Sequence, residues 1–179
     1  MKLLLHICCA PCLIYPYEQL TKKDFKVAGL FYNPNIHPLA EYTSRKNALD
    51  ELNKNLNLQI IVPAYDPKEY TQAINLKETN PGRCALCWRL RLSKTAQAAR
   101  ALGFEYFSTT LLVSPYQDLA KIKTIGEEAA GEAGVKFYYE DFRPGFRAGH
   151  SKAKTVAMTA PSVTITVVMF SLVIFPPWK

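Results

Sequence analysis

The sequence predicts an α/β fold: a mainly parallel five-stranded sheet with helices packed on both faces. Three observations predict it. Short apolar runs alternate with longer stretches of helical character along the chain. The runs are continuously apolar, as strands covered on both faces are. Turn residues close most of them. Lys2 to Ile7 is the first run and ends in Cys8-Cys9. Pro16 to Lys23 reads as a helix with Leu20 on its buried side, and Phe25 to Tyr32 as the second strand. Asn33-Pro34-Asn35 stops that strand, because proline offers no ladder donor and asparagine favours turns. Glu41 to Asn55 is helical, with Leu49 and Leu52 on one face. Leu58 to Val62 is a third strand, closed by Pro63. Trp88 to Leu102 is a strong helix ended by Gly103. Phe104 to Leu112 and Val135 to Tyr139 are further strands, separated by a helix from about Leu119 to Ala133.

The chain has 179 residues, enough for one compact domain with a core. With 49% apolar and 21% charged residues it is neither disordered, collagenous nor a coiled coil. A formal charge of +7 favours an anionic partner. The opening MKLLLHICCAPC has the look of a lipoprotein signal, but its apolar stretch, Leu3 to Leu5, is interrupted by His6. It reads as a buried first strand, and the protein as cytoplasmic, where thiols stay reduced.

Five cysteines are too few for a disulfide scaffold and too clustered for incidental core residues. Cys8-Cys9-Ala10-Pro11-Cys12 and Cys84-Ala85-Leu86-Cys87 form two groups about 75 residues apart. In a parallel sheet, ligands gather at the carboxyl ends of the strands. The loops there are HICCAPC, YNPNIHP and STTLLVSPYQD. Cys84 and Cys87 sit just before or within the first turn of the Trp88 helix, where free amides and the helix dipole stabilise thiolates and Arg83 and Arg89 add charge. Zinc, a redox pair and an iron–sulfur cluster all use such residues. A structural zinc site favours two similar knuckles and needs four ligands, whereas here the groups differ and five thiols are present.

HICCAPC, FYNPNIHPLAEY, RCALCWRLRL, FSTTLLVSPYQD and FYYEDFRPGFR together resemble the QueH-type epoxyqueuosine reductases, from Met1 to about Lys154. The resemblance implies a Rossmann-like fold of the HUP type holding a [4Fe–4S] cluster with a second metal beside it. It implies two-electron removal of the epoxide oxygen of epoxyqueuosine in tRNA, to give queuosine, with electrons from a donor the sequence does not name. By position, Cys8, Cys9, Cys84 and Cys87 match the cluster ligands, leaving Cys12 for an adjacent mononuclear iron or for direct redox work.

Opening an epoxide reductively needs a source of electrons and an acid on the departing oxygen. His37, Glu41 and Tyr116, with His6 and Tyr42, are the candidates for that acid or for positioning; His6 on the first strand reads first as a buried, hydrogen-bonded histidine. Arg83, Arg89, Arg91, Arg143 and Arg147, with Lys152 and Lys154, are candidates to track phosphates. Phe142, Phe146 and Tyr116 are candidates to stack on an extruded base. Two rival readings are a zinc-binding RNA module and an ATP-dependent tRNA sulfurtransferase-like enzyme. The second would carry Ser-Gly-Gly-x-Asp-Ser after the first strand, where this chain has Cys-Cys-Ala-Pro-Cys.

Residues 1–154 are thus expected to form the cluster-binding domain, and 155–179 to stand apart. From Thr155 to Lys179 the final lysine is the one charged residue. Pro161 and the terminal Pro176-Pro177-Trp178 make this segment a poor membrane helix, and no membrane partner is expected. The family continues with a Tyr-Cys-Gly-Cys or Tyr-Asn-Gly-Cys element. Val163 to Val168 is compatible with codons that read Asp-Tyr-Asn-Gly-Cys in another frame. A frame break between Lys154 and Val163 is therefore expected. The resulting enzyme would still assemble its metal group but turn over slowly or not at all.

Overall fold

The computed structural model describes residues 1–75 and 82–159, with side chains to 153. The apolar tail and its expected frame break lie beyond residue 159 for the most part, outside the described residues.

Five parallel strands form one sheet in the order β3-β2-β1-β4-β5. They are β1 (Lys2–His6), β2 (Lys26–Leu30), β3 (Ile60–Ile61), β4 (Tyr106–Thr109) and β5 (Lys136–Phe137). The chain steps outward from β1 to β3, then returns to place β4 and β5 on the other side of β1. The order reverses at β1, and in such sheets the crevice at that reversal is where ligands bind. This is the expected Rossmann-like arrangement. β1 is central: Leu3, Leu4, Leu5, His6 and Ile7 are all fully buried. Gly29 on β2 allows close packing over β1, since a Cβ there would stand 2.5 Å from Ile7 Cδ1.

Among the described residues six helices cover the sheet: α1 (Ala10–Lys22), α2 (Leu39–Leu56), α3 (Pro67–Ala73), α4 (Arg83–Ala101), α5 (Leu119–Ala133) and α6 (Phe146–Thr159). Three expectations need correction. α1 begins at Ala10, six residues before the expected Pro16. Pro11 falls in its first turn, where the missing N–H costs nothing, and Pro16 removes the intrahelical donor of the Cys12 carbonyl without ending the helix. α4 begins at Arg83, so Cys84 and Cys87 lie within the helix. The expected strand to Leu112 stops at Thr109 and continues as a 3-10 turn, Thr110–Val113. α5 has the expected bounds, with the Asp118 side chain accepting from the Lys121 amide and Gly134 in the left-handed conformation.

α6 and the preceding turn pack against α1 beside the cysteine loop. Phe142 is fully buried, edge-on to Tyr15, and Gly145 lies under the Tyr15 ring. A Cβ at residue 145 would collide with that ring. Gly145→Ala is expected to destabilise the fold by about 1–3 kcal/mol, the usual result of overpacking. Urea unfolding checks this: an unchanged midpoint would mean that α1 and the turn are not held this way.

Candidate functional site

The loop that leaves β1 enters α1 almost at once. Cys9 is the residue that caps α1, in extended conformation, and Cys12 lies in its first turn. The Cys8, Cys9 and Cys12 sulfurs all lie within 4.8 Å of one another, with Cys8 Sγ and Cys9 Sγ 3.7 Å apart. Sulfurs on one tetrahedral metal, at about 2.3 Å, stand roughly 3.8 Å apart. The three thiols can therefore hold a metal ion, and their all-sulfur donor set suits a thiophilic one.

The charge among them is uneven. Hydrogen bonds from Cys12 and Cys9 hold Cys8 well below the usual thiol range, aided by Arg91 and Thr110 and opposed by burial. Cys12 is pushed well up, through its bonds to Cys8 and Cys9 and then by burial. Cys9 is also raised: Cys12 pulls it down, but its bond to Cys8 and burial outweigh that. One hydroxyl ties this loop to β4, because Thr110 Oγ1 accepts from the Cys8 amide at 2.9 Å and donates to Cys8 Sγ at 3.2 Å.

Behind the sulfurs is a buried polar network. Arg91, 5% exposed, donates from Nη2 to Asn33 Oδ1 at 2.7 Å and from Nε to His6 Nε2 at 3.3 Å. His6 Nδ1 lies 2.9 Å from Thr109 Oγ1, and Nε2 also lies 3.2 Å from the Tyr32 carbonyl, so both ring nitrogens have partners. Asn33 Nδ2 donates to the Ile7 carbonyl at 2.9 Å. Burial and then Arg91 push the His6 pKa down to about 3. The expected buried, satisfied histidine is what the structure contains. On α4, burial pushes the Cys87 thiol up, opposed by contact with Arg91. For Cys87 this departs from the expected helix-start thiolate: burial outweighs the pull of Arg91 and of Arg83, whereas Arg89 pairs with Glu128. Cys84 and Cys87 stand outside the compact Cys8–Cys9–Cys12 trio. Arg91 lies between the two groups: it hydrogen-bonds Cys87, and through His6 and Asn33 it is tied to the residues just before Cys8.

Residues 3–160 match the family model described as Epoxyqueuosine reductase QueH. The chain belongs to the QueH family. It is 40% identical over 143 residues to a QueH protein of Dehalococcoides mccartyi, covering 79% of this chain and 78% of that one. It is 39% identical over 148 residues to one of Thermotoga maritima, covering 79% and 75%. It also resembles a solved structure, a predicted subunit of tRNA methyltransferase from Methanocaldococcus jannaschii, with a TM-score of 0.58 and 14% identity over 86% of this chain and 76% of that one. At that identity the likeness shows the fold alone.

The remaining candidates of this QueH chain lie on several loops. His37 is exposed on the loop after β2, its ring 5.8 Å from that of Tyr70. Glu41, in the first turn of α2, accepts from Arg45 at 2.7 Å. Tyr42 is buried and stacked on Tyr65 at 4.1 Å, in the core rather than free for substrate. Tyr116 is 78% exposed on the loop before α5, edge-on to Phe146; the neighbouring Gln117 accepts from Trp88 Nε1 at 2.9 Å, which ties this loop to α4. Arg143 is paired with Asp141 at 2.6 Å, Lys152 with Glu18 at 2.6 Å, and Arg147 is exposed. Arg83 is half-buried at the start of α4. Two expectations fail on burial. Arg91 cannot track phosphates, and fully buried Phe142 cannot stack on a base. Asn33, Thr109 and Thr110 were not singled out as site residues by the sequence. The spacing of Arg91 four residues after Cys87, in a stripe with Leu92, Thr95, Ala96 and Ala99, does signal burial.

The depressed His6 pKa gives a signed expectation. The unfolded chain takes up this proton at about pH 6.5, well before the folded one. The stabilisation is complete above that pH and drains as the pH falls toward 3. Below pH 6.5 it should drain by about 1.4 kcal/mol per pH unit. Urea midpoints at pH 7 and pH 5 should therefore fall more steeply for the wild type than for His6→Gln. Equal slopes would show that His6 does not titrate differently in the two states.

Proposed function

We propose that this chain reduces the epoxide of epoxyqueuosine in tRNA, giving queuosine and water. The observation that carries the reading is the packing of three thiols within 4.8 Å at the carboxyl end of β1, in a chain that matches the epoxyqueuosine reductase model from residue 3 to 160. The balance is two electrons and two protons: both C–O bonds of the epoxide break, a C=C bond forms, and the oxygen leaves as water. The electrons come from an external donor of unassigned identity. Cys8, Cys9, Cys84 and Cys87 are the residues that would hold a [4Fe–4S] cluster, with Cys12 left for an adjacent mononuclear iron or for direct redox work. Bound there, such a cluster supplies single electrons, which side chains cannot.

The chain's own residues provide the rest. His6 is withdrawn from proton donation, because its ring is neutral and hydrogen-bonded on both nitrogens. His37, Glu41 and Tyr116 remain to protonate the departing oxygen or position the substrate. The exposed Tyr116, edge-on to the half-buried Phe146, offers an aromatic face at which an extruded base could stack. Arg83, Arg89, Arg143 and Arg147 are the proposed phosphate contacts. The carboxylate partners of Arg89 and Arg143 are exposed, and exposed ion pairs are weak enough to be exchanged for phosphate. Residues 1–154 would carry this chemistry as one domain, with 155–179 apart from it. The reading assigns the protein to the cytoplasm, where its thiols stay reduced; among the described residues no helix is long and apolar enough to cross a membrane.

Two experiments test it. After anaerobic reconstitution with iron and sulfide, Cys84→Ala and Cys87→Ala are each expected to lose the brown cluster absorbance and epoxyqueuosine reduction together. Turnover retained without iron would overturn the mechanism. Affinity for tRNA should fall with salt, with a log–log slope of roughly −3 if all four arginines bind phosphate. A salt-independent affinity would point to the free nucleoside as substrate.

A further inference from the structure

Arg91 carries a positive charge into the interior and, among the described residues, meets no carboxylate there. It lies in the buried stripe of α4, 5% exposed, between Cys87 and Thr95. Its two side-chain acceptors, Asn33 Oδ1 and His6 Nε2, are neutral. Among the described residues, the exposed Arg89 and Arg143 and the half-buried Arg45 each have a carboxylate partner, and Arg91 has none. Tyr32 lies in the field of Arg91, but the acid beside it, Glu69, is engaged by the Tyr32 hydroxyl and by Lys94. An unpaired buried charge is among the most costly groups a fold can contain, and one with no carboxylate needs another source of negative charge. Cys87 lies one helical turn before Arg91 on α4 and hydrogen-bonds it, and the clamps His6 and Asn33 hold the chain at His6 and at the Ile7 carbonyl, immediately before Cys8.

We propose that Arg91 is the fixed counter-charge of the cysteine site: a positioning residue, clamped by Asn33 and His6, that joins the Cys8 loop to Cys87 and sets how much negative charge a metal group on those sulfurs can carry. The proposal rests on the metal-holding reading of the cysteines. A thiolate-bound metal group becomes more negative on reduction, and a buried cation beside it makes the added electron less unfavourable. Arg91 therefore keeps the group easier to reduce than the sulfurs alone would. Asn33 serves the same end, because it holds the guanidinium without neutralising it. An aspartate in its place would neutralise it.

The test compares the reduction potential of wild type, Arg91→Lys, Arg91→Gln and Asn33→Asp after anaerobic reconstitution with iron and sulfide, alongside iron content and melting temperature. Arg91→Gln removes the charge, and Asn33→Asp cancels it with a side chain of the same size. Each should lower the ratio of reduced to oxidised group at a fixed solution potential about tenfold, equivalent to about 59 mV for a one-electron couple. Arg91→Lys keeps the charge and should stay near wild type. If Arg91 only braced the fold, Arg91→Gln would melt earlier with an unchanged potential, and Asn33→Asp would leave the potential unchanged; that result overturns the proposal. Should Arg91→Gln not fold, Asn33→Asp gives the same readout through a different residue. A wild type that takes up no iron overturns the metal reading itself, which is distinct from loaded variants whose potential does not move.

Discussion

β1 has hydrogen-bonded strands on both sides and helices over both faces, so beyond the exposed Lys2 at its start no side chain on it reaches water. His6 is nevertheless polar and fully buried there, and its ring must find every partner inside the protein. Those partners come from three different elements: Thr109 at the end of β4, Arg91 from the middle of α4, and the Tyr32 carbonyl just beyond β2, next to the Asn33 that holds Arg91. Asn33 closes the circle by binding the Ile7 carbonyl, the last backbone group before the cysteine loop. One satisfied imidazole thus fixes where β1 ends relative to its neighbours. The Cys8 loop starts two residues later and inherits that position. Thr110 then secures the loop to β4 through both the amide and the sulfur of Cys8.

The same logic separates the arginines. Arg89 and Arg143 lie on the surface, where water screens them and a carboxylate neighbour adds little. Arg91 is only two residues from Arg89, but that step turns it about 200° around the helix and into the core. There its charge acts at low effective dielectric, so its effect on nearby sulfurs and on His6 is far stronger than that of any surface cation. A formal charge of +7 says nothing of this difference. Position on the helix decides which cations can meet a solvent-borne anion and which can act on the site from within.

Much of the architecture is legible in the sequence, and the exceptions have physical causes. α5 is legible to the residue because Asp118 and Gly134 mark its ends by side-chain and backbone geometry. The strands overrun because hydropathy reports burial and not ladder pairing: Phe31, Tyr32, Leu111 and Leu112 are buried beyond the last strand residue. The early start of α1 is hidden by two prolines that read as breakers, one of which sits in the first turn, where it is harmless. Of the site, the cysteine groups and the strand-end loops are visible as clustered residue types. The Asn33–Arg91–His6 network is not, because its members are 27 and 58 residues apart along the chain, with no pattern to join them before the fold does.

The placement of Cys9 and Cys12 at the start of a regular helix has one more consequence. A loop of free thiols can move apart when its metal is absent, but sulfurs mounted on a helical turn stay together. Close thiols, one of them biased toward thiolate, are also the starting point for disulfide formation when an oxidant is present. Ligation and oxidation therefore compete for the same sulfur lone pairs, and the preorganisation that favours one also favours the other. The order in which metal and oxygen reach a newly folded chain decides which of the two reactions the site undergoes first.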